Sequence, residues 1–287
     1  MNTVQILNVL IDATLAGARE VLAVRRAGLQ EVEYKDAREL VTIADQHADR
    51  AMREIFERDL ESGIALALEE SGRPDEFGDR WVGADPLDGT NHFACGGTAY
   101  SIQAHYVERG IPQAGVVFQP EVFLPLAETP ECVGRLAYAV RGQGAFLRRT
   151  TCTGSDFSQS QPRPLRLNPT PATRSYAACV PISSKMSPEE RSRATRVLES
   201  GLVAVTTGAG GAGANAMVTL TGGQHVYANL GAGEDLDLIP PQVIAEEAGA
   251  TVWGVDRQPL KWFVRKQPFV LAVNPQVAES FLAAAGL

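Results

Sequence analysis

The sequence has few of the residues from which disulfide frameworks and zinc sites are built. It contains 4 cysteines and 4 histidines in 287 residues. The cysteines are far apart and form no C-x-x-C pair, so we expect neither a disulfide framework nor a zinc site. The histidines are equally scattered, and we interpret them as structural or exposed.

Long apolar runs and a concentrated basic charge are also missing. No apolar run approaches the roughly 20 residues that span a bilayer, and the N-terminus lacks the basic-then-apolar order of a signal peptide. We therefore expect no membrane partner and a cytoplasmic location. The formal net charge is −8, so we expect no nucleic-acid partner, because such a surface needs a basic face.

The strongest chemical signal is the stretch 81–90, Trp-Val-Gly-Ala-Asp-Pro-Leu-Asp-Gly-Thr. The proline after Asp85 disfavours a helix there, so the carboxylates of Asp85 and Asp88 are expected on a turn. Carboxylates are hard oxygen ligands that suit Mg2+. The N–H groups of Gly89 and Thr90 follow and could point at an anion. The stretch indicates either metal-assisted phosphate chemistry or an ordinary Asp-Pro turn.

Apolar periodicity predicts a soluble domain in which helices and strands alternate. The predicted helices cover about 4–26, 42–56, 188–200, 214–220 and 238–248, with a last one at the C-terminus. The predicted strands cover about 64–68, 101–106, 114–118, 136–140, 144–148, 176–180, 203–206, 226–229 and 269–273. Residues 108–112 are predicted to form a hairpin turn. The Ser/Thr/Gln/Pro-rich stretch Thr150–Pro164 is interpreted as a linker.

The Asp-Pro-Leu-Asp-Gly-Thr segment resembles the signature of the inositol monophosphatase superfamily, the magnesium-dependent, lithium-sensitive sugar and nucleotide phosphatases. Three other segments resemble that family: Lys35 followed by Leu-Val-Thr-Ile-Ala-Asp at 40–45, Glu-Glu-Ser at 69–71, and Glu-Ala-Gly-Ala at 247–250. The resemblance implies an α/β (α+β) fold, the layered α-β-α-β-α sandwich of the inositol monophosphatase and fructose-1,6-bisphosphatase type. It places paired helices and a mostly antiparallel sheet in residues 1–150, an α/β part in 165–287, and the metal site in the cleft between them.

The resemblance also implies roles for individual residues. The metal ligands would be Glu69, Asp85, the Leu87 carbonyl, Asp88 and Asp237. The phosphate and substrate would contact Asp88, Gly89, Thr90, Asn91, Gly210, Gly211 and Asn229. Asp45 and Thr90 would orient the attacking water, with Glu69 as a third catalytic residue, and Glu70 and Lys35 would support the ligands from behind. The cofactor would be two or three Mg2+ ions, with Mn2+ as a possible substitute and inhibition by Li+.

Two of these assignments have alternatives. Asp45 stands three residues after Thr42, which is the spacing of a helix-capping box. The pair Pro240-Pro241 fits a helix in its first turn, so the fifth predicted helix is expected to begin near residue 238 with Asp237 at its N-terminus, where an Asp is often an N-cap. Asp235 is the alternative last ligand.

Three classes of function stay open. The first is a Mg2+-dependent phosphomonoesterase, acting without a phosphoenzyme on a sugar, cyclitol or nucleotide phosphate. It includes 3'(2'),5'-bisphosphate nucleotidases and specialised biosynthetic phosphatases for nucleoside or aminosugar phosphates. The second is a dinucleotide-binding oxidoreductase, because Gly208-x-Gly210-x-x-Gly213 lies between a predicted strand and helix. The third is a non-catalytic binding protein. The resemblance also implies a homodimer.

Overall fold

The computed structural model of the chain describes residues 1–28, 32–36, 39–123, 132–167, 175–183, 186–207, 210–260 and 266–287, without the side chains of 32–36, 39–41, 123, 232–235 and 266. Its helices are α1 (Thr3–Ala27), α2 (Ile43–Asp59), α3 (Thr90–Ala94), α4 (Pro188–Glu199), α5 (Ala212–Leu220), α6 (Asp235–Glu247) and α7 (Pro275–Ala285). Its strands are β1 (Val32–Asp36), β2 (Glu39–Thr42), β3 (Ala65–Leu68), β4 (Arg80–Asp88), β5 (Ser101–Glu108), β6 (Ile111–Phe123), β7 (Cys132–Val140), β8 (Gly144–Thr153), β9 (Asp156–Gln159), β10 (Arg163–Leu165), β11 (Tyr176–Cys179), β12 (Val203–Thr206), β13 (Val226–Glu234), β14 (Thr251–Gly254) and β15 (Lys266–Ala272).

The elements form five layers. Helices α1 and α2 pack on one face of an eight-stranded sheet, in the order β10-β8-β7-β6-β5-β4-β3 with β9 on β8. Helices α5 and α6 fill the space between that sheet and a five-stranded sheet in the order β12-β11-β13-β15-β14. Helices α4 and α7 cover the outer face of the second sheet. This confirms the predicted α-β-α-β-α sandwich.

The first sheet is mostly antiparallel, as predicted. Strands β3 and β4 run parallel, whereas the other described pairs of this sheet run antiparallel. The second sheet is mixed, because β11 runs parallel to β12 and β13 while β15 runs antiparallel to β13 and β14. Strands β1 and β2 form a separate pair. Within the described residues, no helix combines the length and apolarity needed to cross a bilayer.

The first two helices begin where the sequence predicts. Helix α1 starts with a capping box between Asn2 and Gln5 and ends at Gly28, which adopts the left-handed conformation that a glycine tolerates. Helix α2 starts with the predicted capping box of Thr42 and Asp45. Asp45 therefore caps this helix, as its spacing from Thr42 predicts. Its expected role in orienting a water depends on the groups that its other oxygen contacts.

The linker interpretation of Thr150–Pro164 is wrong. Strand β8 continues to Thr153, and β9 and β10 both pair with β8 in the first sheet. Alternating exposed and half-buried side chains in β9 place this stretch at a sheet edge. Polar side chains are tolerated on an edge because one face of it stays solvated. The division of the chain into 1–150 and 165–287 stays a prediction.

Helix α6 begins earlier than predicted. It starts at Asp235 rather than near residue 238, so the proline pair lies in the second turn. The backbone of Pro240 packs against Gly115 on β6, where an added Cβ would lie 2.6 Å from the proline carbonyl oxygen. The missing side chain of Gly115 therefore lets the helix approach the first sheet closely at Pro240, and the proline pair does not mark the start of the helix.

The end of α6 is also attached to the first sheet. The Glu247 carboxylate accepts hydrogen bonds from the N–H groups of Gly142 and Gly144, each at 2.8 Å, in the hairpin between β7 and β8. Both glycines have a positive φ. The Glu-Ala-Gly-Ala segment that resembles the family is thus held against the β7–β8 hairpin through its first residue.

Strand β5 carries polar side chains on the face that meets α5 and α6. Ser101, Gln103 and His105 alternate along it and are all fully buried. The His105 ring packs edge-to-face on Trp81, with centroids 4.9 Å apart, and lies over Gly83, where a Cβ would come within 2.3 Å of it. Burial lowers the pKa of His105 to about 3, so the native protein holds this side chain uncharged.

We expect His105 to make the protein sensitive to acid. The unfolded chain binds a proton at this histidine below a pKa of about 6.5, whereas the native chain does not until about pH 3. The unfolded state therefore binds more protons in this window, and the free energy of unfolding falls by roughly 1.4 kcal/mol for each pH unit below 6.5. Urea unfolding of wild type and His105→Gln at pH 7 and pH 5 measures this, and the variant should lose about 2 kcal/mol less stability. Equal losses in the two proteins would contradict the expectation.

Candidate functional site

The two aspartates of the central motif lie at the end of β4 rather than on a free turn. Asp85 pairs with Gln103 and Asp88 with Ser101, so the register shifts by one residue between them. Side chains three residues apart face opposite sides of a regular strand, but the extra residue turns both carboxylates to one side. The irregularity also accommodates Pro86, which has no N–H for the ladder.

Asp85 is fixed locally and is almost completely buried. Its Oδ1 accepts a hydrogen bond from the Leu87 N–H at 2.9 Å, and the residue is 2% exposed. Burial raises the pKa of Asp85 well above its usual range, and the carboxylates of Glu69 and Asp237 raise it further. A carboxylate in such surroundings is stabilised in its charged form by a cation.

Asp88 connects the first sheet to the N-terminus of α5. Its Oδ1 accepts from the Ala212 N–H at 2.7 Å, and its Oδ2 accepts from the Gly213 N–H at 2.8 Å and from the Ser101 hydroxyl at 2.7 Å. The first N–H groups of a helix have no partner within the helix and favour negative charge. Burial raises the pKa of Asp88, and these hydrogen bonds oppose the rise.

Glycine is required where α5 meets Asp88. An added Cβ on Gly211 would lie 2.4–2.5 Å from the Asp88 carboxylate, and one on Gly213 would lie 2.5 Å from the Ser101 hydroxyl oxygen. The Gly211 N–H donates to the Ala99 carbonyl at 3.0 Å. Gly210 packs on the same residue, where its Cβ would meet the Ala99 side chain at 2.7 Å. The glycine run is therefore shaped to fit the end of β4 and the loop before β5.

The third carboxylate comes from the first turn of α6. One carboxylate oxygen each of Asp85, Asp88 and Asp237 lie within 4.8 Å of one another. The structure thus brings Asp237 to the two aspartates of the motif, whereas the side chain of Asp235 lies outside the described residues. Glu69 follows β3, its N–H donates to the Ala84 carbonyl at 3.2 Å, and it is more exposed than these three.

Thr90 and Asp45 meet beside this cluster. The Thr90 hydroxyl oxygen lies 3.0 Å from Asp45 Oδ1 and 3.0 Å from the Leu87 carbonyl oxygen. The other oxygen of Asp45 accepts from the N–H and hydroxyl of Thr42, at 2.7 and 2.6 Å. Burial raises the pKa of Asp45, and hydrogen bonds from Thr42 and Thr90 oppose the rise. Asp45 therefore caps α2 with one oxygen and holds Thr90 with the other.

The remaining predicted residues lie on several different elements. Gly89 has a φ of 94° at the start of α3, and Asn91 is exposed on that helix. Asn229 lies where the pairing of β13 with β15 is irregular, and its Oδ1 accepts from the Gly231 N–H at 3.2 Å. Glu70 is half-buried in the turn after Glu69. Lys35 belongs to β1, but its side chain lies outside the described residues.

Sequence reasoning missed the partners of Asp88. Ser101 and the N–H groups of Ala212 and Gly213 were not assigned to the site, although they hold its central carboxylate. The N–H groups leave no trace in the sequence other than the glycines that permit the approach. The sequence prediction assigns Gly210 and Gly211 to phosphate contact, and it does not include the approach of these glycines to Asp88.

The fold and the site together define a class of protein. The carboxylate oxygens of Asp85 and Asp88 come from β4 and that of Asp237 from α6, and carboxylate oxygens are the ligands that hard divalent cations prefer. The bulge in β4 positions Asp85, and the N-terminus of α5 positions Asp88. The donor set therefore fits Mg2+ or a similar ion, and family comparisons agree with that class.

A sequence model of the Inositol monophosphatase family matches residues 2–286. The histidinol-phosphatase of Mycobacterium tuberculosis is 28% identical over 168 residues, which cover 58% of this chain and 56% of that protein. The inositol-1-monophosphatase of Synechocystis sp. is 33% identical over 115 residues, 40% of each chain. The crystal structure of the extragenic suppressor protein suhB from Bartonella henselae has a TM-score of 0.77 at 18% identity and 98% coverage of both chains.

The chain belongs to the inositol monophosphatase family, whose members are phosphatases that hydrolyse phosphate monoesters. This confirms the resemblance found in the sequence. The matched segments span 56% and 40% of the two curated relatives.

The structure also disfavours the dinucleotide alternative, because the N–H groups of Ala212 and Gly213 that would face a pyrophosphate donate to Asp88. Gly208 itself lies outside the described residues.

We expect Gly211→Ala to loosen the junction between β4 and α5. The added methyl would lie 2.4–2.5 Å from the Asp88 carboxylate, which is closer than van der Waals contact allows, so the helix or the carboxylate must shift. The expected loss in the free energy of unfolding is about 1–3 kcal/mol, as for other overpacked sites. Gly254→Ala is the matched control, since its nearest obstacle is the movable Asp256 side chain at 3.0 Å. Urea unfolding of both variants checks this, and equal stability losses would refute it.

Proposed function

We propose that this chain is a divalent-cation-dependent phosphatase that hydrolyses a small phosphate monoester with water as the nucleophile. The observation that carries the proposal is the group of Asp85, Asp88 and Asp237, whose carboxylate oxygens lie within 4.8 Å of one another. Three negative charges at this separation repel one another unless cations lie between them. Family membership gives the kind of reaction that such a site performs.

In this proposal Asp85, Asp88, Asp237, Glu69 and the Leu87 carbonyl hold two or three Mg2+ ions, with Mn2+ as a substitute and Li+ as an inhibitor. When bound, such cations lower the pKa of water and neutralise the charge that develops on a leaving oxygen. The carboxylates contribute position: the bulge in β4 fixes Asp85, and the amides of α5 fix Asp88. Glu70 and Lys35 are proposed to help position these ligands without binding a cation themselves.

Thr90 and Asp45 are proposed to orient the attacking water. The Thr90 hydroxyl is within hydrogen-bond distance of Asp45 Oδ1 and of the Leu87 carbonyl. The hydroxyl can therefore accept a hydrogen bond from the water while it donates its own proton to Asp45. Asp45 can accept that proton, because burial raises its pKa and thereby makes it a stronger base. The capping bonds from Thr42 keep its carboxylate from rotating away.

The phosphate and the rest of the substrate are proposed to contact Gly89, Thr90, Asn91, Gly210, Gly211 and Asn229. Asn229 is a neutral side chain, so hydrogen bonds to ring hydroxyls would be weaker there than at a carboxylate. The candidates therefore include histidinol phosphate, nucleotide 3'-phosphates and specialised sugar phosphates as well as inositol phosphates. The site is proposed to lie in a cleft between 1–150 and 165–287, and the chain to form a homodimer.

Asp85→Asn should abolish a Mg2+-dependent release of phosphate. The change removes one ligand charge but keeps the side-chain shape, so we expect a loss of at least about 100-fold in kcat/KM. Phosphate release is measured with Mg2+ and with EDTA on inositol 1-phosphate, adenosine 3',5'-bisphosphate, AMP, fructose 1,6-bisphosphate and histidinol phosphate. Asp156→Asn, the same change at an exposed position of β9, is the matched control and should keep wild-type activity.

Two results would oppose the phosphatase proposal. Phosphate release that continues in EDTA would show that the reaction does not depend on a divalent cation. A protein that binds Mg2+ in calorimetry but releases phosphate from no substrate of the panel would favour the non-catalytic alternative.

Thr90→Val should separate chemistry from binding. It keeps the volume of the side chain but removes the hydroxyl that contacts Asp45 Oδ1, so kcat should fall by about 100-fold or more while KM changes little. Thr90→Ser retains a hydroxyl and should recover most of the activity. If Thr90→Val raises KM at unchanged kcat, Thr90 binds the substrate rather than orienting the water.

A further inference from the structure

Two cysteines face each other across the outer part of the first sheet. Cys132 on β7 pairs directly with Cys152 on β8 in an antiparallel ladder. Both are free thiols, 4% and 1% exposed, and they form a small buried cluster with Leu22. Neither has a place in the proposed phosphatase site, so the catalytic proposal leaves this pair of thiols without a role.

The backbone places the two sulfurs within bonding reach. Directly opposed residues of an antiparallel pair have Cα atoms about 4.5–5.5 Å apart. Disulfides bridge Cα separations of about 4.4–6.8 Å. The register of β7 and β8 is continuous from Cys132 to Val140, so a bond between the sulfurs requires no sliding of the strands.

The surroundings make the two sulfurs chemically different. Arg26, an exposed residue at the end of α1, donates a hydrogen bond from Nη2 to Cys152 Sγ at 3.1 Å. A guanidinium in this place stabilises negative charge that develops on that sulfur. Burial raises the pKa of Cys132 to about 12, and the neighbouring Cys152 raises it further. Arg26 also lowers the pKa of Cys132, but burial and the neighbouring Cys152 outweigh that effect. On the hydrogen bond from Arg26 we assign the first attack to Cys152 and the second to Cys132.

We propose that Cys132 and Cys152 form a reversible intramolecular disulfide when the protein meets a peroxide. The Cys152 sulfur attacks one oxygen of hydrogen peroxide, the O–O bond breaks, and a sulfenic acid and one water form. The Cys132 sulfur then displaces the sulfenic oxygen, which leaves as a second water, and the S–S bond forms. Two electrons pass from the thiols to the peroxide, and both thiol protons end in water. A dithiol reverses the bond by exchange.

The other two cysteines supply internal references. Cys95 is exposed at the end of α3, and Cys179 is buried on β11 of the second sheet. Neither is paired with a cysteine in a described strand. Cys95 therefore reports how much oxidant the protein has received, and Cys179 reports whether the fold has opened.

The test uses the full chain in its native state. Wild type and Cys95→Ser are treated with a small excess of hydrogen peroxide, denatured, alkylated and mapped by mass spectrometry. In Cys95→Ser, alkylatable thiols should fall from three to one, with a cross-linked peptide pair containing residues 132 and 152, and dithiothreitol should restore them. Cys132→Ser should instead leave a dimedone-reactive sulfenic acid on Cys152. Arg26→Gln should form the cross-link several-fold more slowly.

The proposal is overturned if Cys132 and Cys152 are both recovered as alkylated thiols at a dose that fully oxidises Cys95 in wild type. Separate oxidation of the two cysteines without a cross-linked peptide also overturns it. Alkylation of Cys179 before denaturation would show that the fold had opened, and a cross-link formed only under that condition counts against a site in the native protein. None of these outcomes depends on phosphatase activity.

Discussion

The carboxylate of Asp88 satisfies two physical demands at the same time. It accepts hydrogen bonds from the first amides of α5 and from Ser101, and so compensates the N-terminus of a helix that packs between the two sheets. It also contributes a negative charge to a group with Asp85 and Asp237. The hydrogen bonds lower the free-energy cost of burying the charge of Asp88, and the nearby charges of Asp85 and Asp237 raise that cost. The fold holds this carboxylate because the helix amides offset part of the electrostatic repulsion that the other aspartates create.

The geometry of the site follows from local departures from regular structure. A regular strand would send Asp85 and Asp88 to opposite faces, and the register shift at the end of β4 brings them together. Glycines in the α5 loop let its backbone come close enough for its amides to reach Asp88. Burial then makes each charge matter more, since the local dielectric is low. Together these departures bring the carboxylates of Asp85 and Asp88 to one side of the strand and the amides of α5 to Asp88.

Local signals in the sequence were sufficient for much of this structure. The capping box of Thr42 and Asp45, the β5–β6 hairpin and most helices depend on neighbours within a few residues, so they could be predicted. The edge strands β9 and β10 could not, because polar side chains at a sheet edge look like a linker. The start of α6 at Asp235 could not be predicted either, because local rules place a proline pair in the first turn of a helix and here it lies in the second. The packing of Pro240 on Gly115 involves residues far apart in sequence and leaves no local signal. The family resemblance supplied Asp237, which no local pattern distinguishes from a helix cap.

Helix α6 carries a carboxylate near each end that faces the first sheet. Asp237 in its first turn lies beside Asp85 and Asp88, and Glu247 at its last residue accepts hydrogen bonds from the hairpin between β7 and β8. The two residues are separated by about 15 Å of helix, and each residue added between them would rotate one carboxylate by about 100° relative to the other. The number of residues in the helix therefore fixes both the distance and the relative direction of the two carboxylates. An inserted or deleted residue between Asp237 and Glu247 would therefore displace one of the two carboxylates from its contact.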